Sequence, residues 1–215
     1  FEVQGVLDDW MHILRPRRRM QELVQKLKAH GYCVYYLSNI PEDVLDLLMN
    51  RDMKGLFDGG VASCEVHINK PDPRIYKALL EKYHLKAQES VFIDDRLDNV
   101  QAAFRLGFAG IQIWKTHPFR SRYVSMYKNI VFDFGGVMVD FDPKEYLVDR
   151  FCNADVEEQV SALTFDSEEW KLLDAGLITR FEANQRMLAK AREQGCAFEV
   201  QGVLDDWMHI LRPRR

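Results

Sequence analysis

Residues 129–137 read NIVFDFGGV, a short apolar run that ends in an aspartate and, two residues later, a pair of glycines. The same pattern of an apolar run followed by polar residues recurs at 33–39, CVYYLSN, and at 90–95, SVFIDD. Stretches with helical spacing separate these runs, and a further apolar run, AGIQIW, occupies 109–114. Strands that alternate with helices predict an α/β fold, a Rossmann-like three-layer sandwich with a parallel central sheet.

The elements of this sandwich carry start and stop signals of their own. Pro16 suits the beginning of a helix over RMQELVQKLKAHG, and Gly31 suits the position just after that helix ends. The segment 61–66, VASCEV, is predicted to be a further short strand because it is mainly apolar and of strand length.

Beyond Pro143 the pattern changes, because nearly every segment has helical spacing. Thr179 and Glu182 stand three residues apart, which is the spacing of a capping box at a helix start. A helical insert after the first apolar motif predicts a cap over the α/β core. The predicted domains are a core over 19–140 and a cap made of 141–215 together with 1–18.

The first eighteen residues, FEVQGVLDDWMHILRPRR, recur without a change at 198–215. Two copies at opposite ends are unlike the short-period arrays of solenoid proteins, and they suggest a circularly permuted chain cut open with overlap. A terminal duplication without topological meaning is the alternative. Met126, directly before YKNIVFDF, suits the start of the unpermuted order. We expect one copy to fill a slot in the cap while the other is frayed or docks into a neighbouring molecule as a domain swap.

Composition excludes several classes of protein. The chain has 215 residues, 47% of them hydrophobic, and a net charge of −4, which allows a sizeable core and argues against a nucleic-acid partner. Its four cysteines show neither metal-ligand nor disulfide spacing. This cysteine usage favours a reducing, cytoplasmic location. Without an apolar run of about 18 residues or a signal pattern, we expect no membrane partner.

Polar residues follow the predicted strands, where parallel sheets bind ligands. They contribute three carboxylates, one ammonium group and one hydroxyl, which suits a divalent cation and a phosphate group. Mg²⁺ prefers oxygen ligands, and a cation relieves the repulsion between adjacent carboxylates. The residues are Ser38, Asn39, Lys70, Asp94, Asp95 and Asp133.

Four segments, FDFGGV, YLSN, NKPDPRIY and FIDDRLDNV, resemble the signature motifs of the haloacid dehalogenase superfamily of phosphohydrolases. Within it the chain is similar to the α-D-glucose-1-phosphate phosphatase-like group, which shares the glycine two places after the aspartate. The motif order, with the first motif last, fits a circular permutation. The resemblance implies a Mg²⁺-dependent hydrolase of a small phosphorylated metabolite, and we expect a sugar phosphate.

The resemblance also implies a role for each site residue. Asp133 would attack phosphorus and form an aspartyl-phosphate. Asp133, Asp94 and the main-chain carbonyl of Gly135 would bind Mg²⁺ directly, while Asp95 would hold a metal-bound water or Lys70. Ser38 and the amide of Asn39 would hydrogen-bond the phosphoryl group, and Lys70 would neutralise its charge and orient the nucleophile.

The chain departs from the superfamily at Gly135, where most of its phosphatases carry an aspartate that acts as general acid and base. Loss of such an acid costs about 10²–10⁴-fold in rate. Activity is then modest, the leaving group needs little help, or another residue substitutes. Asp140 and Asp142, in a predicted flap near the site, are candidates for that role, and a solvated loop position is the alternative for both.

Two alternatives to a phosphatase remain. In a 2-haloacid dehalogenase the same aspartate attacks carbon without a metal, but the adjacent Asp94 and Asp95 would then repel an anionic substrate. An engineered permutant or domain-swapping form of the fold with little turnover is the other. Substrate choice is expected to lie in the cap, where the candidates, which are alternatively cap core, are Trp170, Trp207 and His209 with the first-copy equivalents Trp10 and His12.

Overall fold

The computed structural model describes residues 16–113 and 126–210, with side chains up to Trp207. Among these residues, five parallel strands form one sheet in the order β2-β1-β5-β3-β4. This confirms the predicted α/β fold with a parallel central sheet. The strands are β1 (Cys33–Ser38), β2 (Gly59–Ala62), β3 (Ser90–Asp94), β4 (Ala109–Gln112) and β5 (Asn129–Phe132).

Strand β5 comes last along the chain but lies at the centre of the sheet. Phe132 is in register with Tyr36 of β1 on one side and with Ile93 of β3 on the other. The three strands therefore end at the same height, and the residues that follow them meet at one edge of the sheet. The permuted chain order itself stays a prediction.

Helices connect the strands and cover both faces of the sheet. Gly31 follows the first helix with a φ of +86°, as its predicted place after the helix end requires. Helices α1 to α5 span Arg18–Ala29, Glu42–Asn50, Ser63–Val66, Pro73–Lys82 and Leu97–Arg105, with a 3₁₀ turn at Ala87–Glu89.

The strand predicted over 61–66 is wrong beyond Ala62, where α3 begins. The Glu65 carboxylate accepts a hydrogen bond from the backbone N–H of Ala62 at 2.8 Å, which closes a helical turn at this point. The turn directs the chain away from the sheet edge and toward the Lys70 loop.

The predicted helical segment after Pro143 consists of five helices in the described chain. The Thr179–Glu182 capping box is present at the start of one of them, as its spacing predicts. The helices are α6 (Pro143–Phe151), α7 (Ala154–Leu163), α8 (Glu168–Asp174), α9 (Arg180–Glu193) and α10 (Ala197–Ile210).

Alternate residues of each strand enter two separate hydrophobic clusters. Tyr35 and Leu37 belong to one cluster, and Val34 and Tyr36 belong to the other. The second cluster continues into the helices after Pro143, where it includes Trp207. Those helices thus share a continuous core with one face of the sheet.

The second copy of the repeat forms most of α10 and buries Val200, Val203, Leu204 and Trp207. In the first copy, residues 1–15 lie outside the described residues. Its end is bound near the site, because the Arg17 backbone N–H donates to the Met138 carbonyl at 2.8 Å. The second copy therefore has a place among the cap helices, while the domain swap and the domain bounds stay predictions.

No helix in the described ranges is long and apolar enough to cross a membrane.

Candidate active site

Three strands place the candidate residues side by side at the carboxyl edge of the sheet. Ser38 ends β1, Asp94 ends β3 and Asp133 directly follows β5. All three are buried. Lys70 arrives from the loop between α3 and α4, and its side chain is buried as well. The structure thus brings together residues that stand up to 95 positions apart in the sequence.

Lys70 is the centre of the site. Its Nζ lies 2.7 Å from Asp94 Oδ2 and 2.9 Å from Asp133 Oδ1, and it donates to the Leu37 carbonyl at 2.8 Å. Burial lowers the pKa of Lys70, but the Asp133 and Asp94 carboxylates outweigh burial and hold that pKa above its ordinary value. The ammonium group therefore stays charged between two carboxylates.

Two asparagines hold this arrangement in place. Asn39 fixes the Lys70 backbone twice, because its Oδ1 accepts from the Lys70 N–H at 2.7 Å and its Nδ2 donates to the Lys70 carbonyl at 3.0 Å. Asn99 Nδ2 lies 3.1 Å from each carboxylate oxygen of Asp94. The side chain of Asn39 thus positions Lys70, while phosphate binding by its amide stays a prediction.

The carboxylates carry more negative charge than Lys70 neutralises. Burial raises the pKa of Asp133 to about 7; Lys70 and a hydrogen bond from Ser38 oppose this rise, and Asp94 adds to it. Burial and the neighbouring Asp94 raise the pKa of Asp95 to about 6. Both shifts indicate a site that favours additional positive charge.

A divalent cation would supply that charge. One carboxylate oxygen from each of Asp94, Asp95 and Asp133 lies within 4.8 Å of the others. The ligands offered are all oxygens, which is the set that Mg²⁺ prefers. The residues present therefore fit the predicted Mg²⁺; the share of the Gly135 carbonyl in binding stays a prediction.

The loop after Asp133 is held from outside the site. Arg17 Nε lies 2.7 Å from Asp140 Oδ1, and Arg17 Nη1 donates to the Gly136 carbonyl. The Asp142 carboxylate caps helix α6 by accepting from the Glu145 N–H at 3.0 Å. Both candidate acids of the predicted flap thus have structural partners.

The aromatic candidates of the cap pack against one another. Trp170 and Trp207 are buried, with ring centroids 5.3 Å apart, and Phe165 lies 5.0 Å from Trp170. These rings belong to the hydrophobic core, the alternative considered for them. Trp10 and His12 lie outside the described residues, as does the side chain of His209.

Sequence reasoning assigned no role to Asn99, which contacts Asp94, or to three residues that join helices α8 and α9 to the core. Asn99 had a signal, since it stands five residues after Asp94 and so lies in the first turn of the helix that follows the strand. Asp174 and Arg180 had none, because they belong to helices whose spacing says nothing about the neighbouring core. Ser63 had none either, because it was assigned to a strand.

Comparisons with known proteins find a hydrolase family that is similar to part of the chain. A model of the haloacid dehalogenase-like hydrolase family matches residues 2–107, just under half of the chain. The matched range includes Ser38, Lys70 and Asp94, whereas Asp133 lies beyond it.

Curated relatives match similar lengths. A sesquiterpene phosphatase from Aspergillus oryzae is 39% identical over 103 residues, which is 46% of this chain and 52% of that protein. A (S)-2-haloacid dehalogenase from Burkholderia cepacia is 28% identical over 93 residues, 43% of this chain and 40% of that protein. The chain therefore spans about half, or less, of the length of these relatives.

Among solved structures, a haloacid dehalogenase family enzyme from Bacteroides thetaiotaomicron, in complex with magnesium and inorganic phosphate, aligns with a TM-score of 0.46. The identity is 24%, and the alignment covers 50% of this chain and 58% of that one.

The parallel sheet with its lysine and acidic cluster is thus accompanied by a match, over just under half of the chain, to a hydrolase family. The comparisons support the placement of the chain in the haloacid dehalogenase-like hydrolase superfamily. The narrower α-D-glucose-1-phosphate phosphatase-like group stays a prediction.

Proposed function

We propose that the protein is a Mg²⁺-dependent phosphomonoester hydrolase that acts on a small phosphorylated metabolite through an aspartyl-phosphate on Asp133. One observation carries this proposal: a buried, charged Lys70 contacts both Asp133 and Asp94 at the carboxyl edge of the sheet. A nucleophilic carboxylate, a fixed cation and an oxygen-lined acidic cluster together suit the transfer of a phosphoryl group.

Asp133 carries out the attack on phosphorus, and Lys70 and Ser38 bind the phosphoryl group. An Asp133 carboxylate oxygen attacks phosphorus, and the bond from phosphorus to the ester oxygen breaks. Lys70 orients this carboxylate and neutralises charge on the phosphoryl oxygens, while the Ser38 hydroxyl, hydrogen-bonded to Asp133, is placed to donate to them. Mg²⁺, held by Asp133, Asp94 and Asp95, would stabilise negative charge on the phosphoryl group. Water then hydrolyses the aspartyl-phosphate.

Charge also favours this reaction over dehalogenation. A 2-haloacid would enter a site that already holds three carboxylates and one ammonium group. A phosphate monoester is also anionic, but it enters with a divalent cation that removes the repulsion. Because a (S)-2-haloacid dehalogenase is among the relatives, the test below includes dehalogenation as one of its outcomes.

We infer that the substrate is a sugar phosphate. Prenyl phosphates are a second candidate class of substrate, because one relative is a sesquiterpene phosphatase. Both are monoesters of poor leaving groups, so they require the same phosphoryl chemistry and differ only in what the cap must accommodate.

The test is phosphate release from a panel of sugar and prenyl phosphates, with Mg²⁺ and with EDTA. We expect release to vanish with EDTA and in Asp133→Asn, and to persist in Asp155→Asn, an exposed cap aspartate. Full activity in Asp133→Asn would refute the proposal. Metal-independent halide release from 2-haloacids would favour the dehalogenase, and Mg²⁺-dependent phosphate binding without turnover would favour a low-turnover form.

A further inference from the structure

The proposed phosphatase lacks an acid at Gly135, and a carboxyl group stands at the end of helix α8, which is hydrogen-bonded to the segment that leads to Lys70. We propose that Asp174, at the end of helix α8, is the general acid and base of the reaction. This inference rests on the proposed function and adds a catalytic residue to it.

One side of Asp174 is fixed by the segment that leads to Lys70. The Ser63 hydroxyl donates to the Asp174 carbonyl, and His67 Nδ1 lies 2.9 Å from the carbonyl of Ala175. Asn69 Nδ2 donates to the Lys171 carbonyl at 2.8 Å. The end of α8 is therefore bound to the loop that delivers the catalytic lysine.

The other side is fixed by the segment that follows Ser38 and Asn39. Arg180, at the start of α9, pairs with Asp43 of α2 through Nε at 2.6 Å and Nη2 at 2.9 Å. The guanidinium group also acts electrostatically on Asp174. The end of α8 and the start of α9 are thus each bound to a core segment that adjoins the site residues.

The guanidinium group of Arg180 also holds a buried donor that lacks a hydrogen-bond partner among the described residues. The Arg180 side chain is only 10% exposed, yet its Nη1 has no hydrogen-bond partner among the described residues. Nη1 belongs to the guanidinium group that acts on Asp174. Buried donors are normally paired, so this one suits an oxygen of the substrate.

The charged groups around Asp174 leave its proton exchangeable near neutral pH. Burial raises the pKa of Asp174 to about 7, and the Asp133 and Asp43 carboxylates raise it further, while Arg180 and a hydrogen bond from Trp170 oppose them. The nucleophile Asp133 thus acts electrostatically on Asp174.

The proton transfers balance over the two steps. As Asp133 attacks phosphorus, the Asp174 carboxyl group gives its proton to the departing ester oxygen, and a neutral alcohol leaves. In the second step the Asp174 carboxylate takes a proton from water as that water attacks phosphorus. The bond to Asp133 breaks, inorganic phosphate forms, and Asp174 is again protonated.

The experiment compares leaving groups in Asp174→Asn. An alkyl phosphate needs the proton, so its kcat/KM should fall by about 10²–10⁴-fold. For p-nitrophenyl phosphate the phenolate leaves unaided, so the first step should survive and the second should stall. We therefore expect a burst of one p-nitrophenolate per site, with Asp155→Asn behaving as the parent protein.

A second variant tests the proton directly. Trp170→Phe removes a hydrogen bond that lowers the pKa of Asp174, so that pKa should rise. Since step one needs the protonated acid, the alkaline limb of kcat/KM should move to higher pH. This profile decides the matter even if Asp174→Asn folds poorly, and Asp174→Glu should restore part of the alkyl phosphate rate.

An equal loss for both leaving groups without a burst, or an unmoved pH limb, would overturn the role of Asp174. Either result leaves the proposed function intact, because that depends on Asp133→Asn and EDTA. If Asp133→Asn is fully active, the proposed function fails instead.

Discussion

The Asp95 carboxylate occupies the place where a side chain on Gly136 would be. Gly136 has a φ of +66°, and a Cβ built there would overlap Asp95 Oδ2. By contrast, a Cβ on Gly135 would meet only Phe141, at 3.7 Å. Gly136 is therefore required by the acidic cluster, whereas space alone does not forbid a side chain at Gly135.

Gly136→Ala should disturb the acidic cluster directly. The left-handed backbone alone costs about 1–2 kcal/mol for a residue with a Cβ, and the overlap with Asp95 adds to that cost. We expect a lower free energy of unfolding and a weaker Mg²⁺ activation, measured by urea titration and by phosphate release against Mg²⁺ concentration.

Gly31→Ala is the matched control. Its φ of +86° imposes the same backbone penalty, but a Cβ there meets nothing within 4 Å. It should lose stability without any change in Mg²⁺ activation. Equal stability losses in the two variants, with unchanged Mg²⁺ activation in both, would show that Asp95 moves aside at no cost.

At the scale of elements, a buried hydroxyl makes one of the hydrogen bonds that bind helix α8 to the core. Ser63 is fully buried, and its Oγ accepts from the Ile40 N–H at 2.9 Å while donating to the Asp174 carbonyl. The same side chain thus joins the segment after β1, the start of α3 and the end of α8.

Ser63→Ala should lower the free energy of unfolding, because it removes the hydroxyl that joins these elements. It leaves the buried Ile40 N–H and the part-buried Asp174 carbonyl without their partner, which costs about 1–3 kcal/mol. Urea unfolding measures the loss. Ser161→Ala is the control, because its hydroxyl bonds an exposed Asp166 and should change stability by no more than about 0.5 kcal/mol. If both variants lose the same free energy of unfolding, the Ser63 hydroxyl does not stabilise the contact between these elements.

At the scale of the whole molecule, the duplicated segment allows a comparison of identical residues. Trp207 is 3% exposed and packs against Phe141, Phe165 and Trp170. Nearby, the Asp206 carboxylate accepts from the Tyr146 hydroxyl at 2.5 Å and pairs with Arg150. The second copy is therefore bound by both apolar and polar contacts.

Trp207→Ala should cost about 3–5 kcal/mol in the free energy of unfolding, as large buried aromatic residues do. Trp10→Ala makes the same change in the first copy and should cost less than about 1 kcal/mol if the second copy fills the slot. Equal losses would show that both copies use it.

The same comparison addresses domain swapping. If the spare copy docks into a neighbouring molecule, removal of residues 1–18 should lower the mass in solution measured by light scattering. Residues 1–18 and residues 198–215 are removed in separate variants. If the full chain and both variants are all monomers, the swap is excluded.

The sequence by itself determined the alternation of strands and helices and the residues at the carboxyl edge of the sheet. Ser38, Asp94 and Asp133 were predictable because each follows a buried apolar run, and such periodicity is written in neighbouring residues. The capping box at Thr179 was predictable for the same reason, since its two partners stand three residues apart.

Only the tertiary structure decided which residues of helices α8 and α9 contact the core. Ser63 and Asp174 stand 111 residues apart, and Asp43 and Arg180 stand 137 apart. No local spacing records such pairs, because they depend on how helices α8 and α9 pack against the core. The place of the second repeat copy was also decided there, since both copies have the same sequence and differ only in how they connect to the rest of the chain.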